Sequence, residues 1–146
     1  MPQDDRGVYV LVIHLNKKLD INVGHLGMTT FMPGKYLYVG RAKQYLAGRL
    51  KRHLRKDKKI FWHIDYLLLE SCIEDIWVKH NFFDECHTAA SILSLCKEGT
   101  LFIRGFGSSD CQCPSHLIHL PGHEEELSQL QKKLAFEKVE IHGNQS

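Results

Sequence analysis

Residues 35–54, KYLYVGRAKQYLAGRLKRHL, run from an apolar strand through a glycine into a strongly basic helix. Strand alternation puts Tyr36 and Tyr38 on one sheet face and Leu37 and Val39 on the other. Gly40 closes the strand. Over residues 45–56, Leu46, Leu50 and Leu54 recur at helical spacing and predict a helix with that stripe turned inward. Arg49 and His53 are four apart, so they share another face one turn above each other. Arg52 and Lys56 flank them on the side away from the leucines.

Outward from this stretch, GVYVLVIHL at 7–15 is β-branched and apolar and reads as a buried strand. NKKLD is a polar turn, INVGHLG a short second strand, and MTTFMPG a loop. FWHIDYLLLES predicts a second helix and IEDIWVKH a fourth strand. A third helix is expected over 84–97, with Asp84 as N-cap and Gly99 as stop. TLFIRGFG fits a strand or a loop, SSDCQCPS is a loop, and HLIHL reads as the last strand. HEEELSQLQKKLAFEKV has helical periodicity and is expected to dock on the outside. The expected fold class is α+β: a small mixed or antiparallel sheet flanked by helices, with an inserted hairpin or loop and a C-terminal helix. The expected organisation is a domain over 1–120, followed by a helix and tail over 121–146.

A chain of 146 residues, 43% hydrophobic and 25% charged, fits one globular domain with a real core. No apolar run approaches the ~20 residues of a membrane span, and MPQDDRGVYV is no signal peptide, so a cytoplasmic, intracellular address is the expectation. The net charge of +2 conceals an asymmetry: residues 41–60 hold nine of the nineteen Lys and Arg against one acid, Asp57. Such a run is most often a solvated helix face, and less often the electrostatic footprint of a polyanion partner.

Tyrosines beside an Arg/His helix narrow the choice. GVY at 7–9, YVG at 38–40 and GRLKRHL at 48–54 resemble the GIY-YIG nuclease superfamily. YVGRAK resembles the corresponding turn of the UvrC repair nuclease. FWHIDYLL, the EC that opens a helix, and FGSSDCQC followed by HL are similar to segments of standalone Uri-type endonucleases. The resemblance covers roughly residues 6–120. Between GVY and YVG this chain carries an additional segment, NKKLDINVGHLGMTTFMPG.

The resemblance implies a metal-dependent endonuclease hydrolysing phosphodiester bonds in DNA, with RNA as the alternative substrate, and Mg²⁺ or Mn²⁺ as cofactor. It implies catalytic roles for Tyr9, Tyr38, Arg49, His53 and Glu85, with Glu85 as metal ligand. In that scheme Arg49 clamps the phosphate with its fork of donors. Tyr9 orients or deprotonates the water, His53 relays the proton, and Tyr38 adds a hydrogen bond at the phosphate. A phenol titrates near 10, so Tyr9 needs positive neighbours to bring it down; an imidazole near 6.5 needs no shift. Arg41, Lys43, Lys51, Arg52, Arg55 and Lys56 are the expected phosphate contacts, and no base-reading motif accompanies them.

Five cysteines, at 72, 86, 96, 111 and 113, are an odd number without a secretory signal, so reduced thiols are expected. Cys86, Cys111, Cys113 and His116 form a conceivable tetrahedral Zn²⁺ set, against a packed loop of reduced thiols. Asp110 is a second acid able to reach the cleavage site, and His63 and Asp65 suit either its rim or a buried His–Asp bond. Two other functions compete: a non-catalytic nucleic-acid-binding module on the same scaffold, and a zinc-stabilised interaction domain docking a partner through its acidic C-terminal helix.

Overall fold

The computed structural model describes residues 5–60, 62–95, 101–102, 106, 115–120 and 126–139. The strands are β1 (Gly7–Leu15), β2 (Leu19–Asn22), β3 (Met28–Phe31), β4 (Gly34–Ala42), β5 (Cys72–His80), β6 (Leu101–Phe102), β7 (Leu117–Leu120) and β8 (Glu137–Val139). The helices are α1 (Leu46–Leu54), α2 (His63–Leu68), α3 (Glu85–Leu95) and α4 (Glu126–Lys133). Six strands form one sheet in the order β6-β7-β4-β1-β5-β8, with every neighbouring pair antiparallel. The α+β class is therefore observed, and the sheet is antiparallel rather than mixed.

β1 lies at the centre and is covered on both faces, which is why it reads as a continuous apolar run rather than an alternating one. Tyr9, Leu11, Ile13 and Leu15 face one core with Tyr36, Tyr38, Leu46 and Leu50, closed by Ile64, Leu67 and Leu68 of α2. Val8, Val10 and Val12 face the other with Leu37, Val39 and Trp77, closed by α3 and α4 through Ala89, Ile92 and Leu130. The alternation expected in β4 is the one observed.

The additional segment is a hairpin, β2 paired to β3, with a 3-10 turn at Gly24–Leu26. MTTFMPG is thus a strand over Met28–Phe31 where a loop was expected, and the INVGHLG strand stops at Asn22. Thr30 donates to Asp20 across the pair at 2.5 Å, while Val23 and Phe31 anchor the hairpin in the core. HLIHL supplies β7, and it is not the last strand. The C-terminal periodicity yields α4 and then β8, which pairs with β5 at the edge of the main sheet. The expected C-terminal helix and tail is therefore a helix followed by a sheet strand. Asp84 does cap α3, accepting from the His87 N–H at 2.9 Å. Gly99, its expected stop, lies outside the described residues.

α1 starts without a side-chain cap of its own. Asp5 supplies the acceptors instead: its carbonyl takes the Leu46 N–H at 3.0 Å and its carboxylate the Ala47 N–H at 2.8 Å. An anion at a helix N-terminus is favoured by the backbone donors and the macrodipole, so the N-terminal segment ties the basic helix to the start of β1.

Candidate active site

Tyr9 on β1 stands opposite Gly40 on β4. The ring lies across the glycine: a Cβ at position 40 would fall 2.7 Å from Tyr9 Cε1 and closer still to Cζ and Oη. Gly7, with φ of 149°, is similarly constrained, because a Cβ there would run into the Lys79 carbonyl oxygen. The outer glycines of GVY and YVG thus have separate physical reasons: one clears a neighbouring strand, the other seats an aromatic ring. Gly40→Ala is expected to displace Tyr9 and destabilise the fold by about 1–3 kcal/mol, the usual range for overpacking. Urea unfolding checks this, with Gly48→Ala as the comparison, since a Cβ at position 48 meets nothing within 4 Å.

The Tyr9 hydroxyl lies 2.8 Å from His53 Nε2. The Arg49 charge also acts on Tyr9 and favours its ionised form. His53 Nδ1 is buried and has no hydrogen-bond partner among the described residues. Tyr38 and Trp62 complete the cage, with ring centroids 6.3 and 5.7 Å from that of His53.

Burial holds this pair neutral. It raises Tyr9 above its ordinary value and outweighs the lowering by Arg49, with Glu85 and Asp65 adding to the rise. Tyr38 is raised well above its usual range by burial, then by Tyr9, Glu85 and Asp65. His53 is pushed down to about 3, chiefly by burial and then by the Lys58 cation. Burial, rather than the positive neighbours of the protein, sets both groups: it raises Tyr9 and lowers His53.

The sign of the pH effect follows from that shift. The unfolded chain protonates His53 near 6.5 and the folded chain only near 3. Between those values the unfolded state binds more protons, so stability falls as pH drops through this window and is fully present above it. The slope contributed approaches about 1.4 kcal/mol per pH unit. Comparing urea midpoints of wild type and His53→Gln from pH 7.5 to 4.5 should show the steeper decline in wild type.

Arg49 leaves α1 toward the end of the sheet. Its Nη1 donates to the Arg41 carbonyl at 2.6 Å, and its guanidinium lies 4.8 Å from the Trp62 ring centroid. Glu85, the first residue of α3, reaches the same end from the opposite layer. Its carboxylate lies 3.8 Å from Arg41 Nε and 3.7 Å from His116 Nδ1. Its charge acts on both Tyr9 and Tyr38. The structure thus groups Tyr9, Tyr38 and His53 in direct contact, sets Arg49 beside them, and leaves Glu85 acting on the two tyrosines through its charge.

The basic helix divides into two sets. Arg52 grips the Asp65 carboxylate with two bonds of 3.0 Å, donates to the Lys59 carbonyl, and covers the other part of Trp62 at 4.5 Å. Lys56 donates to the Leu68 and Ser71 carbonyls beyond α2. These two fasten α1 to α2 where phosphate contacts were expected. Lys43, Lys51 and Arg55 are exposed, and Arg41 is partly so. Asp65, fully buried, also lies 3.8 Å from the buried Lys58 ammonium and accepts the Trp62 N–H at 2.9 Å. An acid inside the otherwise apolar HIDYLL stretch was the one sequence signal for this anchor.

The donor set decides which metal fits. Among the described residues no three His, Cys, Asp or Glu side chains gather to hold an ion. Glu85 offers one carboxylate, set between Arg41 and His116; ions that keep most of their waters, such as Mg²⁺, are the kind a single carboxylate serves. Of the conceivable Zn²⁺ set, Cys86 and His116 lie among the described residues, with the buried His116 Nε2 3.7 Å from Cys86 Sγ. Cys111, Cys113 and Asp110 lie outside the described residues. Also among the described residues, no helix is long and apolar enough to cross a membrane.

A family model described as a domain of unknown function, DUF123, matches residues 8–139. No curated protein and no solved structure matches the chain.

Proposed function

Because the chain belongs to the DUF123 family, whose description assigns no activity, we propose its function from the site itself: metal-dependent hydrolysis of phosphodiester bonds in DNA, of the GIY-YIG type. The observation that carries the reading is the convergence of Tyr9, Tyr38, Arg49, His53 and Glu85 at one end of the sheet. Four of these lie on β1, β4 and α1, and the acid comes from the far layer.

In this reading Arg49, whose charge already acts on Tyr9, extends its free donors to the non-bridging oxygens of the diester. A divalent ion held at Glu85 would neutralise phosphate charge and stabilise the leaving oxygen. Tyr9 holds the attacking water through its oxygen while its own proton stays on the bond to His53. The resting pair resists charge separation. An arriving diester anion favours the imidazolium, and Arg49 favours the phenolate, so bound substrate supplies what the empty site lacks. Proton transfer from water through Tyr9 to His53 Nε2 then has a path of existing hydrogen bonds.

The test is incubation of supercoiled plasmid with Mg²⁺, with Mn²⁺ and with EDTA. Wild type should nick the plasmid only with metal, and Glu85→Gln should not nick it. A second reading is a non-catalytic nucleic-acid-binding module, favoured by the absence, among the described residues, of three metal-ligating side chains gathered together. A salt-dependent gel shift without nicking under any condition would select it.

A further inference from the structure

Three segments emerge side by side at one end of the main sheet. β1 begins at Gly7, opposite Ala42 at the end of β4 and His80 at the end of β5. The chain entering β1 and the chains leaving β4 and β5 therefore share that end, and the last two lead directly into α1 and α3. Each exit leaves an aromatic ring in solvent: Tyr45 is 71% exposed and Phe83 37%. Cations accompany them. Arg6 lies 5.9 Å from the Phe83 ring centroid, and Arg41 and Lys43 sit at the exit of β4. The acids of this end are engaged with the chain: Asp5 caps α1, the exposed Asp84 caps α3, and Glu85 lies between Arg41 and His116.

The backbone at Tyr45 is left-handed, with φ of 58° and ψ of 42°. A bulky residue rarely adopts this conformation, whereas glycine does so without strain. Asp5 holds the turn by capping Leu46 and Ala47, and the Tyr45 carbonyl accepts the Arg49 N–H at 3.0 Å. The ring gains no core packing in return for the strain, and it stands one helical turn from the arginine of the site. Strain of this kind concentrates where a side chain has work outside the fold.

We propose that Tyr45, together with Phe83, is a stacking platform for unpaired bases, so that the strand delivered to the Tyr9–Arg49 site is single-stranded DNA. Every base has a π-face, so stacking grips a strand without reading its sequence, while Arg41 and Lys43 follow its phosphates. The inference rests on the nuclease reading for what happens to the bound strand, and its binding arm is independent of cleavage.

The experiment is fluorescence anisotropy in EDTA with a labelled thymidine oligonucleotide of about 12 nucleotides and a blunt duplex of the same length. Wild type should bind the single strand more tightly. Tyr45→Ala should weaken single-strand binding roughly 5- to 100-fold and leave duplex binding unchanged, and Tyr45→Phe should retain wild-type affinity. Tyr45→Gly should show the same loss while its urea midpoint holds or rises, which separates lost stacking from lost folding. Equal affinity of wild type for the two DNA forms, or a Tyr45→Ala variant that binds the single strand as wild type does, overturns the proposal. A protein that nicks plasmid but gives that result keeps the nuclease reading and loses this one. A protein that stacks single strands and never cleaves does the reverse.

Discussion

Asp65→Ala is expected to lower stability by about 3–5 kcal/mol, the range for removing one partner of a buried ion pair. Domains are stable by only about 5–15 kcal/mol, so the variant should approach the limit of folding. The reason lies in what the carboxylate faces. The Lys58 side chain is 1% exposed, Arg52 forks onto both Asp65 oxygens, and the Trp62 N–H at the start of α2 uses one of them. Removing the acid takes the counter-ion from two cations, which keep only backbone carbonyls as acceptors, and the Asp65 acceptor from the Trp62 N–H. For a chain of this size the melting temperature should fall by roughly 6–20 °C.

The same variant carries a pH signature. Lys58 is already lowered to about 8, by burial first and against the pull of Asp65. Without Asp65 its folded value drops further, while the unfolded lysine still titrates near 10.4. The part of the deficit due to Lys58 is then largest at low pH and disappears above about 8, where wild type has lost that proton as well. Urea unfolding of wild type and Asp65→Ala at pH 6 and pH 9 should show the gap narrowing. An unchanged gap would mean that Lys58 does not feel Asp65. Lys58→Met introduced into Asp65→Ala should recover part of the loss, and the double-mutant cycle measures the coupling.

What the sequence disclosed and what it hid divide along a physical line. Alternation placed Tyr36 and Tyr38 together on one face, and the leucine stripe oriented α1 correctly, because both follow from local geometry. Gly40 read only as a strand end. Its reason is the Tyr9 ring from another strand, which no local pattern states. Arg52 and Lys56 looked like a free cationic face because their acceptors, Asp65, Leu68 and Ser71, lie in or beyond the next helix. β8 was concealed in helical periodicity, since three residues added to a sheet edge carry little signal of their own. The ionisation states were the least legible. Reference values describe exposed groups, and desolvation, which dominates at Tyr9, Tyr38 and His53, exists only once the sheet and α1 have closed over them.

Arg49→Ala should lower the cleavage rate constant by about 10²–10³, the cost of one preorganised donor aimed at developing charge. Its bond to the Arg41 carbonyl and its contact with Trp62 make some loss of stability certain as well, on the order of 1.5–3 kcal/mol for a charge-assisted bond. The two effects separate experimentally. Stability is read by urea unfolding, and turnover at saturating DNA in buffer where the variant remains folded. Arg49→Lys keeps the charge without the planar fork that reaches the Arg41 carbonyl, Tyr9 and a phosphate oxygen together, so it should restore DNA affinity more than turnover. Removing Arg49 also withdraws a cation that lowers Tyr9. Tyr9 then becomes harder still to ionise, and the rate of any residual cleavage should climb further into alkaline pH than that of wild type. A folded Arg49→Ala protein that cuts plasmid as fast as wild type, with the same pH profile, leaves the convergence at Tyr9 a packing arrangement and nothing more.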